Sequence, residues 1–288
     1  MIVDISLEQT NYRMYLPNFN QDAIQKYIFS TKLPYEQSVL EYILKDAQMG
    51  GGIVLDIGAN IGNHSVYLAA HNIKVLSFEP NPKLCKIIKE NIKINHFENK
   101  IKLFECGISD TNHKANLSKE NRTNYGSMSL IKNNQGEIEC KSIDSFNFEE
   151  KISLIKIDVE GMELSVLKGA KQTLIKNKPT LYLEANQPME LYHIKQFLEK
   201  LGYIYYNLQG QHGAYVHIFV YKNIINKELL KENFFNNFGL VLLNSVFSNR
   251  FFYRKIKQVR ILVCVGLGLV LIQIILNILF FIFLFFKG

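Results

Sequence analysis

Short apolar runs alternate with amphipathic stretches through residues 1–222 of the chain. The apolar runs predict buried β-strands, which we place at 53–57, 73–78, 101–106, 152–158 and 180–185. The amphipathic stretches carry their apolar residues on one face, as helices do, and lie at 36–48, 62–71, 81–95, 161–176 and 188–201. Because strands alternate with helices, the pattern predicts a mostly parallel sheet with helices on both faces.

Two hairpins complete this predicted domain. Strands near 203–208 and 215–221 are joined by a short turn, which predicts an antiparallel pair at the end of the sheet. Residues 1–16 alternate loosely and predict another hairpin ahead of the main fold. We therefore divide this part of the chain into an N-terminal hairpin segment, 1–35, and a main α/β domain, 36–222.

The C-terminal run at 261–286 contains no charged side chain. A helix of that length measures about 39 Å, enough to cross a bilayer core of about 30 Å with some tilt. Several Lys and Arg residues precede the run and only Lys287 follows it, so the positive-inside rule puts the large domain in the cytoplasm. The sequence thus predicts a transmembrane helix at 261–286 that serves as a single-pass C-terminal membrane anchor.

Residues 223–260 form a basic juxtamembrane segment ahead of this predicted span. Within it, 234–247 is apolar but too short to cross a bilayer. It suits either an interfacial helix on the membrane or a terminal helix packed on the domain, and both readings stay open. Gln273 and Asn277 share one face of the predicted span, where amides either pair two helices in a homodimer or are simply tolerated.

The net charge of +7 is confined to the C-terminal part of the chain, because residues 222–288 hold nine Lys or Arg and two Asp or Glu. A neutral domain with basic residues beside a predicted span does not resemble a nucleic-acid groove, so no nucleic-acid partner is expected. The four cysteines show no paired spacing, which favours neither a zinc site nor a disulfide framework.

The most informative motif is IVLDIGANIG at 53–62, which predicts a strand, a glycine-bearing turn and the start of a helix. A second strand ends at Glu79, whose carboxylate can accept hydrogen bonds from both hydroxyls of a ribose. Asn60 stands where the dinucleotide fingerprint has its second glycine, and Asp56 would repel a pyrophosphate. S-adenosylmethionine (SAM) has a ribose, an amine and a sulfonium but no phosphate, so the motif favours SAM over NAD.

The expected cofactor contacts follow from this turn. Asp56 is expected to hold the methionine amine, directly or through water, and Glu79 to bind the ribose. Either Glu105 or Cys106 is expected to flank the adenine. The predicted cofactor-binding residues are Asp56, Gly58, Asn60, Gly62, Glu79 and Glu105.

Four blocks of sequence, in this order, resemble the FkbM family of SAM-dependent methyltransferases. They are Tyr35-Glu36, VLDIGANIGNHSVYLA followed by FEPNP, the segment 124–130, and LIKIDVEGMELSVLKGA at 154–170. The resemblance covers roughly residues 1–222 and implies a Rossmann-like class I methyltransferase fold with a seven-stranded, mostly parallel sheet. It also implies methyl transfer to a hydroxyl of a sugar or polyketide.

Asp158 and Glu160 follow a strand in the fourth block and are the predicted catalytic residues. A sugar hydroxyl has a pKa far above neutrality, so a base must help to remove its proton. Asp158 is the leading candidate for that base, and Glu160 is expected to place the acceptor. Glu160 or Glu163 can instead cap the following helix, and His64 is another candidate base, as is His193.

The predicted function is a membrane-anchored, SAM-dependent O-methyltransferase that acts on a sugar hydroxyl in a glycan or lipid-linked glycan precursor. Its acceptor pocket is expected from segments 1–35 and 110–136. A divalent metal held by Asp158, Glu160 and Glu184 would suit hard oxygen ligands, but the spacing does not demand it and no metal is assigned. The alternatives are a lipid or peptide methyltransferase and a non-catalytic SAM-binding membrane scaffold.

Overall fold

The computed structural model describes residues 1–8, 10–118, 128–185, 187–211 and 214–222. The N-terminal elements are β1 (Ile2–Leu7), β2 (Thr10–Tyr15), α1 (Ala23–Thr31) and α2 (Gln37–Gly50). The next five are β3 (Ile53–Ile57), α3 (Asn63–Ala70), β4 (Val75–Phe78), α4 (Pro82–Ile94) and β5 (Ile101–Phe104). Four short strands follow, β6 (Gly107–Ile108), β7 (His113–Leu117), β8 (Leu130–Lys132) and β9 (Ile138–Lys141). The last elements are β10 (Ile152–Ile157), α5 (Glu163–Gly169), α6 (Lys171–Asn177), β11 (Thr180–Glu184), α7 (Pro188–Lys200), β12 (Tyr203–Gln211) and β13 (Ala214–Tyr221).

A seven-stranded sheet forms the centre of the described residues, in the order β12-β13-β11-β10-β3-β4-β5. Within this sheet, the five neighbouring strands β11, β10, β3, β4 and β5 are parallel, whereas β13 is antiparallel to both β11 and β12. This mixed α/β sheet is the arrangement that the class I methyltransferase resemblance implies, and the prediction of that fold is confirmed. Because β3 and β10 are central neighbours, the residues that follow them meet at one edge of the sheet.

The two faces of this sheet are both covered by helices. Val54 and Leu154 pack in an apolar core with α2, α3, α4 and the N-terminal hairpin. Leu55 and Ile155, one residue further along each strand, pack in a second core with α5, α6 and α7. Since successive side chains of a strand point to opposite faces, a strand buried on both faces needs a continuous apolar run.

A second sheet, of four short strands in the order β6-β9-β7-β8, includes part of the segment 110–136, for which no strand was predicted. Strands β7 and β8 lie within 110–136 and pair antiparallel through Ala115 and Lys132. Ala115 is the buried residue of β7, so this strand shows little apolar alternation and depends on pairing with its neighbours. Residues 119–127, which include most of the third motif block, lie outside the described part of the chain.

The helix expected at 161–176 is two helices, α5 and α6, with a break at Ala170. A Cβ atom on Gly169 would lie 2.0 Å from the Ser109 carbonyl oxygen, so glycine permits a close approach to the segment after β6. Helix α5 begins later than expected because Glu160 and Gly161 have positive φ angles of 53° and 85°.

The N-terminal segment is fastened to α4 by two asparagine side chains. The Tyr15 amide donates to Asn91 Oδ1 at 2.6 Å, and the Arg13 amide donates to Asn95 Oδ1 at 2.7 Å. Helix α1 follows the hairpin and was not predicted from the sequence; it begins at an Asp22 cap.

The basic segment 223–260 and the predicted transmembrane helix at 261–286 lie outside the described residues. Among the helices that the structure does describe, none has both the length and the apolar character required to cross a membrane.

Candidate active site

Two adjoining cavities open at the edge of the sheet where β3, β4, β10 and β11 end. The first has mostly polar walls and the second mostly apolar walls. Four residues line both of them, namely Gly58, Glu79, Asp158 and Glu160. In open α/β sheets, ligands bind beyond the carboxyl ends of the strands, so this edge is the expected site.

The turn after β3 requires a glycine. Gly58 has a φ of +80°, and a Cβ atom on it would lie 1.7 Å from the Asp158 carbonyl oxygen. The Gly58 amide donates to the Phe78 carbonyl at 3.0 Å, and the Asp158 amide donates to the Ile57 carbonyl at 3.0 Å. The turn is therefore braced by β4 on one side and by the loop after β10 on the other.

Glu79 reaches under the turn from the end of β4. Its Oε2 accepts a hydrogen bond from the Asn60 amide at 2.9 Å, and its Oε1 accepts one from the Asn81 amide at 2.8 Å. The residue is only 5% exposed, and burial raises the pKa of Glu79 to about 7 although both backbone hydrogen bonds oppose this. Because a carboxylate has about four acceptor positions, two remain for the hydroxyls of a ribose.

The other two residues of the predicted turn have different positions. Asn60 lines the first cavity with a φ of 54°, and its Oδ1 is buried with no hydrogen-bond partner among the described residues. Gly62 has a φ of 82° and stands at the start of α3, outside the walls of both cavities. Asn60 therefore offers an open acceptor to a ligand, whereas Gly62 serves to begin the helix.

Asp56 lies beneath the turn and is only 1% exposed. Its Oδ2 accepts a hydrogen bond from the Ser65 hydroxyl at 2.6 Å, and its Oδ1 lies 3.2 Å from the Lys156 ammonium. Burial by itself would raise the pKa of Asp56, but Lys156 and the Ser65 hydrogen bond hold it below its ordinary value. Asp56 was expected to hold the methionine amine directly or through water, and in this structure its carboxylate instead contacts Lys156 and Ser65.

Lys156 is a central residue of the site that the sequence analysis misses. Its ammonium donates to the Gly58 carbonyl at 2.8 Å and lies 3.5 Å from the Asp158 carboxylate, in addition to the Asp56 contact. Burial lowers the pKa of Lys156, but the adjacent carboxylates outweigh burial and raise it above its ordinary value. A lysine inside a buried apolar strand is itself a signal, because charged side chains are seldom buried unless they are paired.

Asp158 and Glu160 stand together where β10 ends. The Asp158 side chain is 34% exposed, and both residues line the first cavity, as does Glu184 at the end of β11. Burial, and then the Asp158 charge, raises the pKa of Glu160. Its φ of 53° is uncommon for a residue other than glycine, and such backbone strain is concentrated at functional sites. The structure thus brings the predicted catalytic pair to the cavity that the cofactor turn lines.

Glu163 bonds to the loop ahead of α5 rather than capping that helix, which begins without a side-chain cap. Its Oε1 accepts hydrogen bonds from the Val159 amide at 3.3 Å and the Gly161 amide at 3.2 Å. Burial, followed by a hydrogen bond with Glu190, raises the pKa of Glu163 to about 8. Glu163 therefore shapes the loop after β10 and lines neither cavity, and His193 is exposed on α7 away from both cavity walls.

Glu36, which belongs to the first of the four motif blocks, also lines the first cavity. Its Oε2 lies 3.6 Å from His64 Nε2. Burial raises the pKa of Glu36 to about 7 and lowers the pKa of His64 to about 4, so the imidazole is neutral at pH 7. A base with so low a pKa is a weak proton acceptor at neutral pH, which argues against His64 in that role.

The second cavity supplies apolar walls beside Glu79, among them Cys106, Ile108 and Leu130. Such a slot suits a flat, apolar ring such as adenine. Glu105 has a half-exposed side chain that pairs with Lys89 at 2.6 Å and lies outside the cavity walls. Of the two residues expected to flank the adenine, Cys106 lines this cavity and Glu105 does not.

The groups around the first cavity fit SAM better than a phosphate-bearing ligand. Lys156 is the single Lys or Arg among the described residues of this wall, and carboxylates already contact it. A phosphate would face Glu36, Asp158, Glu160 and Glu184, whereas an ammonium or sulfonium would be attracted to them. Among the described residues, no three His, Cys, Asp or Glu side chains are grouped to hold a metal ion.

The sequence profile described as the Methyltransferase FkbM domain matches residues 56–205, slightly more than half of the chain. The chain belongs to the FkbM methyltransferase family. The matched region contains the glycine turn, Glu79 and the loop after β10, and it starts at the buried Asp56. The recognition of the family from the four sequence blocks is confirmed.

Three curated relatives of this FkbM protein share between a quarter and a third of the aligned residues. Hexuronic acid methyltransferase AglP of Haloferax volcanii is 26% identical, with 56% of this chain and 66% of the relative covered. The 2-O-methyltransferase NoeI of Sinorhizobium fredii is 29% identical, with 49% and 65% covered. Methyltransferase sdnD of Sordaria araneosa is 27% identical, with 41% and 60% covered. The chain thus spans less than two thirds of the length of each relative.

Among solved structures, a methyltransferase FkbM from Methylobacillus flagellatus KT is similar to this chain. The two are 19% identical with a TM-score of 0.45, over 59% of this chain and 44% of the other. A likeness of this size carries no argument, so the assignment of the fold rests on the strand order and strand directions given above.

Proposed function

We propose that this FkbM protein transfers a methyl group from SAM to a hydroxyl of a sugar in a glycan or a lipid-linked glycan precursor. The observation that carries the proposal is the shared cavity, whose walls include both the glycine turn with Glu79 and the pair Asp158 and Glu160. Two relatives, a hexuronic acid methyltransferase and a 2-O-methyltransferase, support a sugar hydroxyl as the acceptor.

Some side chains of the site bind the cofactor, and others position and deprotonate the acceptor. Bound SAM would supply a methyl group on a sulfonium. Glu79 would accept the hydrogen bonds of the ribose hydroxyls, and the apolar second cavity, lined by Cys106 and Ile108, would hold the adenine. These contacts fix the cofactor, so that a suitably placed hydroxyl can attack in line.

Asp158 takes the proton of the acceptor hydroxyl as its oxygen attacks, and Glu160 accepts a hydrogen bond that positions the acceptor. Lys156, 3.5 Å from Asp158, keeps that carboxylate oriented toward the cavity. The oxygen–methyl bond forms as the sulfur–methyl bond breaks, and the proton goes to Asp158. General-base assistance of this kind contributes about 10²- to 10⁴-fold to a rate.

The test is transfer of labelled methyl from SAM by the full-length chain to neutral sugars, uronic acids, extracted glycans and extracted lipids. We expect label in a sugar-containing product. We also expect Asp158→Asn to lower the rate about 10²- to 10⁴-fold while its affinity for S-adenosylhomocysteine stays unchanged.

Other results would change the proposal in defined ways. Label in lipid or peptide without any glycan would replace the sugar acceptor. Cofactor binding without turnover on any acceptor would favour the scaffold alternative. Full turnover by Asp158→Asn would remove Asp158 from the role of base.

We also propose that residues 261–286 anchor the protein in a membrane, with the catalytic domain in the cytoplasm. The support is the run without charges and the Lys and Arg residues that precede it. Deletion of 261–286 should move the protein from the membrane fraction to the soluble fraction. Release of the intact chain by a high-salt wash would instead indicate a peripheral attachment.

A further inference from the structure

The amino-acid end of SAM carries an ammonium, and an ammonium in a water-poor site needs a carboxylate within hydrogen-bond distance. Asp56 is the residue that the turn motif suggests for this role. It is 1% exposed, its charge is paired with Lys156, and it accepts the Ser65 hydroxyl. A ligand in the cavity therefore reaches Asp56 only if this buried network opens.

Glu36 is fixed beside the same turn by the segment that precedes α2. The Tyr35 amide donates to Asn63 Oδ1 at 3.1 Å, and Asn63 Nδ2 donates back to the Tyr35 carbonyl at 2.9 Å. Asn63 is the first residue of α3, directly after the turn. These two hydrogen bonds hold Glu36 against the start of α3, and Gly58 and Asn60 line the same cavity.

The contacts of the Glu36 side chain with the described residues do not include a cap of the neighbouring helix. The residue stands immediately before α2, yet its carboxylate makes no capping hydrogen bond to that helix. Its φ of 59° places it in the left-handed region, which strains a residue with a side chain. It is 5% exposed, and its ion-pair contact among the described residues is His64, at 3.6 Å.

The ionised carboxylate of Glu36 would attract a cation bound in the cavity. Because the His64 imidazole is neutral at pH 7, it does not compensate the Glu36 carboxylate. Burial, followed by the charge of Asp158, raises the pKa of Glu36 to about 7 although Lys156 opposes this, so a further cation such as a bound ammonium would favour the ionised form. Asp158, Glu160 and Glu184, by contrast, stand at the ends of β10 and β11, where the acceptor is proposed to bind.

We propose that Glu36, rather than Asp56, receives the α-ammonium group of SAM. This inference rests on the proposed function, since it concerns the cofactor of the same cavity. It makes Glu36 a cofactor-binding residue, and it leaves proton removal to Asp158.

The experiment compares two ligands that share an adenosine thioether. S-adenosylhomocysteine carries the amino-acid end, and 5′-methylthioadenosine lacks it. Calorimetric titration of full-length wild-type protein and Glu36→Gln should show S-adenosylhomocysteine weakened about 10- to 100-fold by loss of a charge-assisted hydrogen bond. Binding of 5′-methylthioadenosine should stay within about twofold of wild type, because that ligand has no ammonium.

Two further variants serve as controls for this result. Glu36→Gly also removes the carboxylate and relieves the positive φ, so it should fold and show the same selective loss. Glu41→Gln makes the same charge change at an exposed position of α2 and should bind both ligands as wild type does.

Each outcome bears on one proposal. Wild-type affinity for S-adenosylhomocysteine in Glu36→Gln would overturn the inference, and so would an equal loss for both ligands. Failure of the folded wild-type protein to bind either ligand would overturn the proposed function itself.

Discussion

Replacing Lys156 with Met tests whether the buried charges around the turn depend on one another. Met keeps an unbranched side chain but removes the ammonium that lies 3.2 Å from Asp56 and donates to Gly58 O at 2.8 Å. Asp56, 1% exposed, would keep only its Ser65 hydrogen bond. Removing one partner of a buried ion pair typically costs about 3–5 kcal/mol. For a domain of this size, that predicts an unfolding temperature lower by roughly 6–20 °C.

Urea and thermal unfolding at pH 7, followed by circular dichroism, would measure this loss. The control is Lys156→Met combined with Asp56→Asn, which removes the orphan charge and should recover about half of the lost stability or more. A free energy of unfolding for Lys156→Met within about 1 kcal/mol of wild type would refute the reasoning. So would a double variant that is less stable than the single one.

The same variant carries a pH signature with a definite sign. Without Lys156, burial would raise the folded-state pKa of Asp56 above its unfolded value, so the folded state would bind a proton more readily. A group whose pKa is raised in the folded state stabilises the fold at low pH, and this stabilisation is lost as the pH rises through the folded-state pKa. The difference in stability between wild type and Lys156→Met should therefore shrink between pH 7 and pH 4. A constant difference over that range would contradict the assignment of Asp56 as the orphan charge.

The remaining predictions concern the turn and its surroundings. S-adenosylhomocysteine affinity should rise between pH 6 and pH 8 by up to about tenfold for each of Glu79 and Glu36, because both carboxyls have a pKa of about 7, and Glu79→Gln should remove the Glu79 share of that rise in calorimetry. Gly58→Ala should destabilise the protein by more than about 3 kcal/mol in urea unfolding, because its Cβ meets the Asp158 carbonyl. Gly161→Ala, with a φ of +85° but open space around it, should cost only about 1–2 kcal/mol. Glu105→Ala should leave S-adenosylhomocysteine affinity within about twofold of wild type; a larger loss would return Glu105 to the site.

The central sheet was predictable because its signals are local. The apolar runs at β3 and β10 are long enough to be buried on both faces, and the helices between strands set a parallel order. The second sheet was not predictable, since β7 and β8 are short and mostly polar and exist through pairing with other strands. The break between α5 and α6 likewise depends on a close contact at Gly169 that sequence periodicity does not report.

The site residues were likewise predictable where the signal is local and not where it depends on distant parts of the chain. Gly58 and Glu79 were identified because the turn and the following strand form one short unit of sequence. The burial of Asp56 depends on Lys156, which comes from a distant strand that happens to be its neighbour in the sheet. Glu36 reaches the cavity through hydrogen bonds to Asn63, which are also non-local. Residue types and spacing therefore located the cavity, whereas the pairing of its charges required the folded structure.

The N-terminal segment limits which parts of the chain can be exchanged between family members. It gives Ile24 and Tyr35 to the cavity, and it is held to the family domain by buried apolar side chains such as Ile5 and Met14 as well as by backbone amides that bond to Asn91 and Asn95. The backbone contacts do not depend on the side chains of the segment, whereas the apolar contacts do. A chimera that takes its first 35 residues from a relative would therefore need matching core residues, in addition to these two asparagines, to carry a foreign acceptor wall on an unchanged cofactor domain.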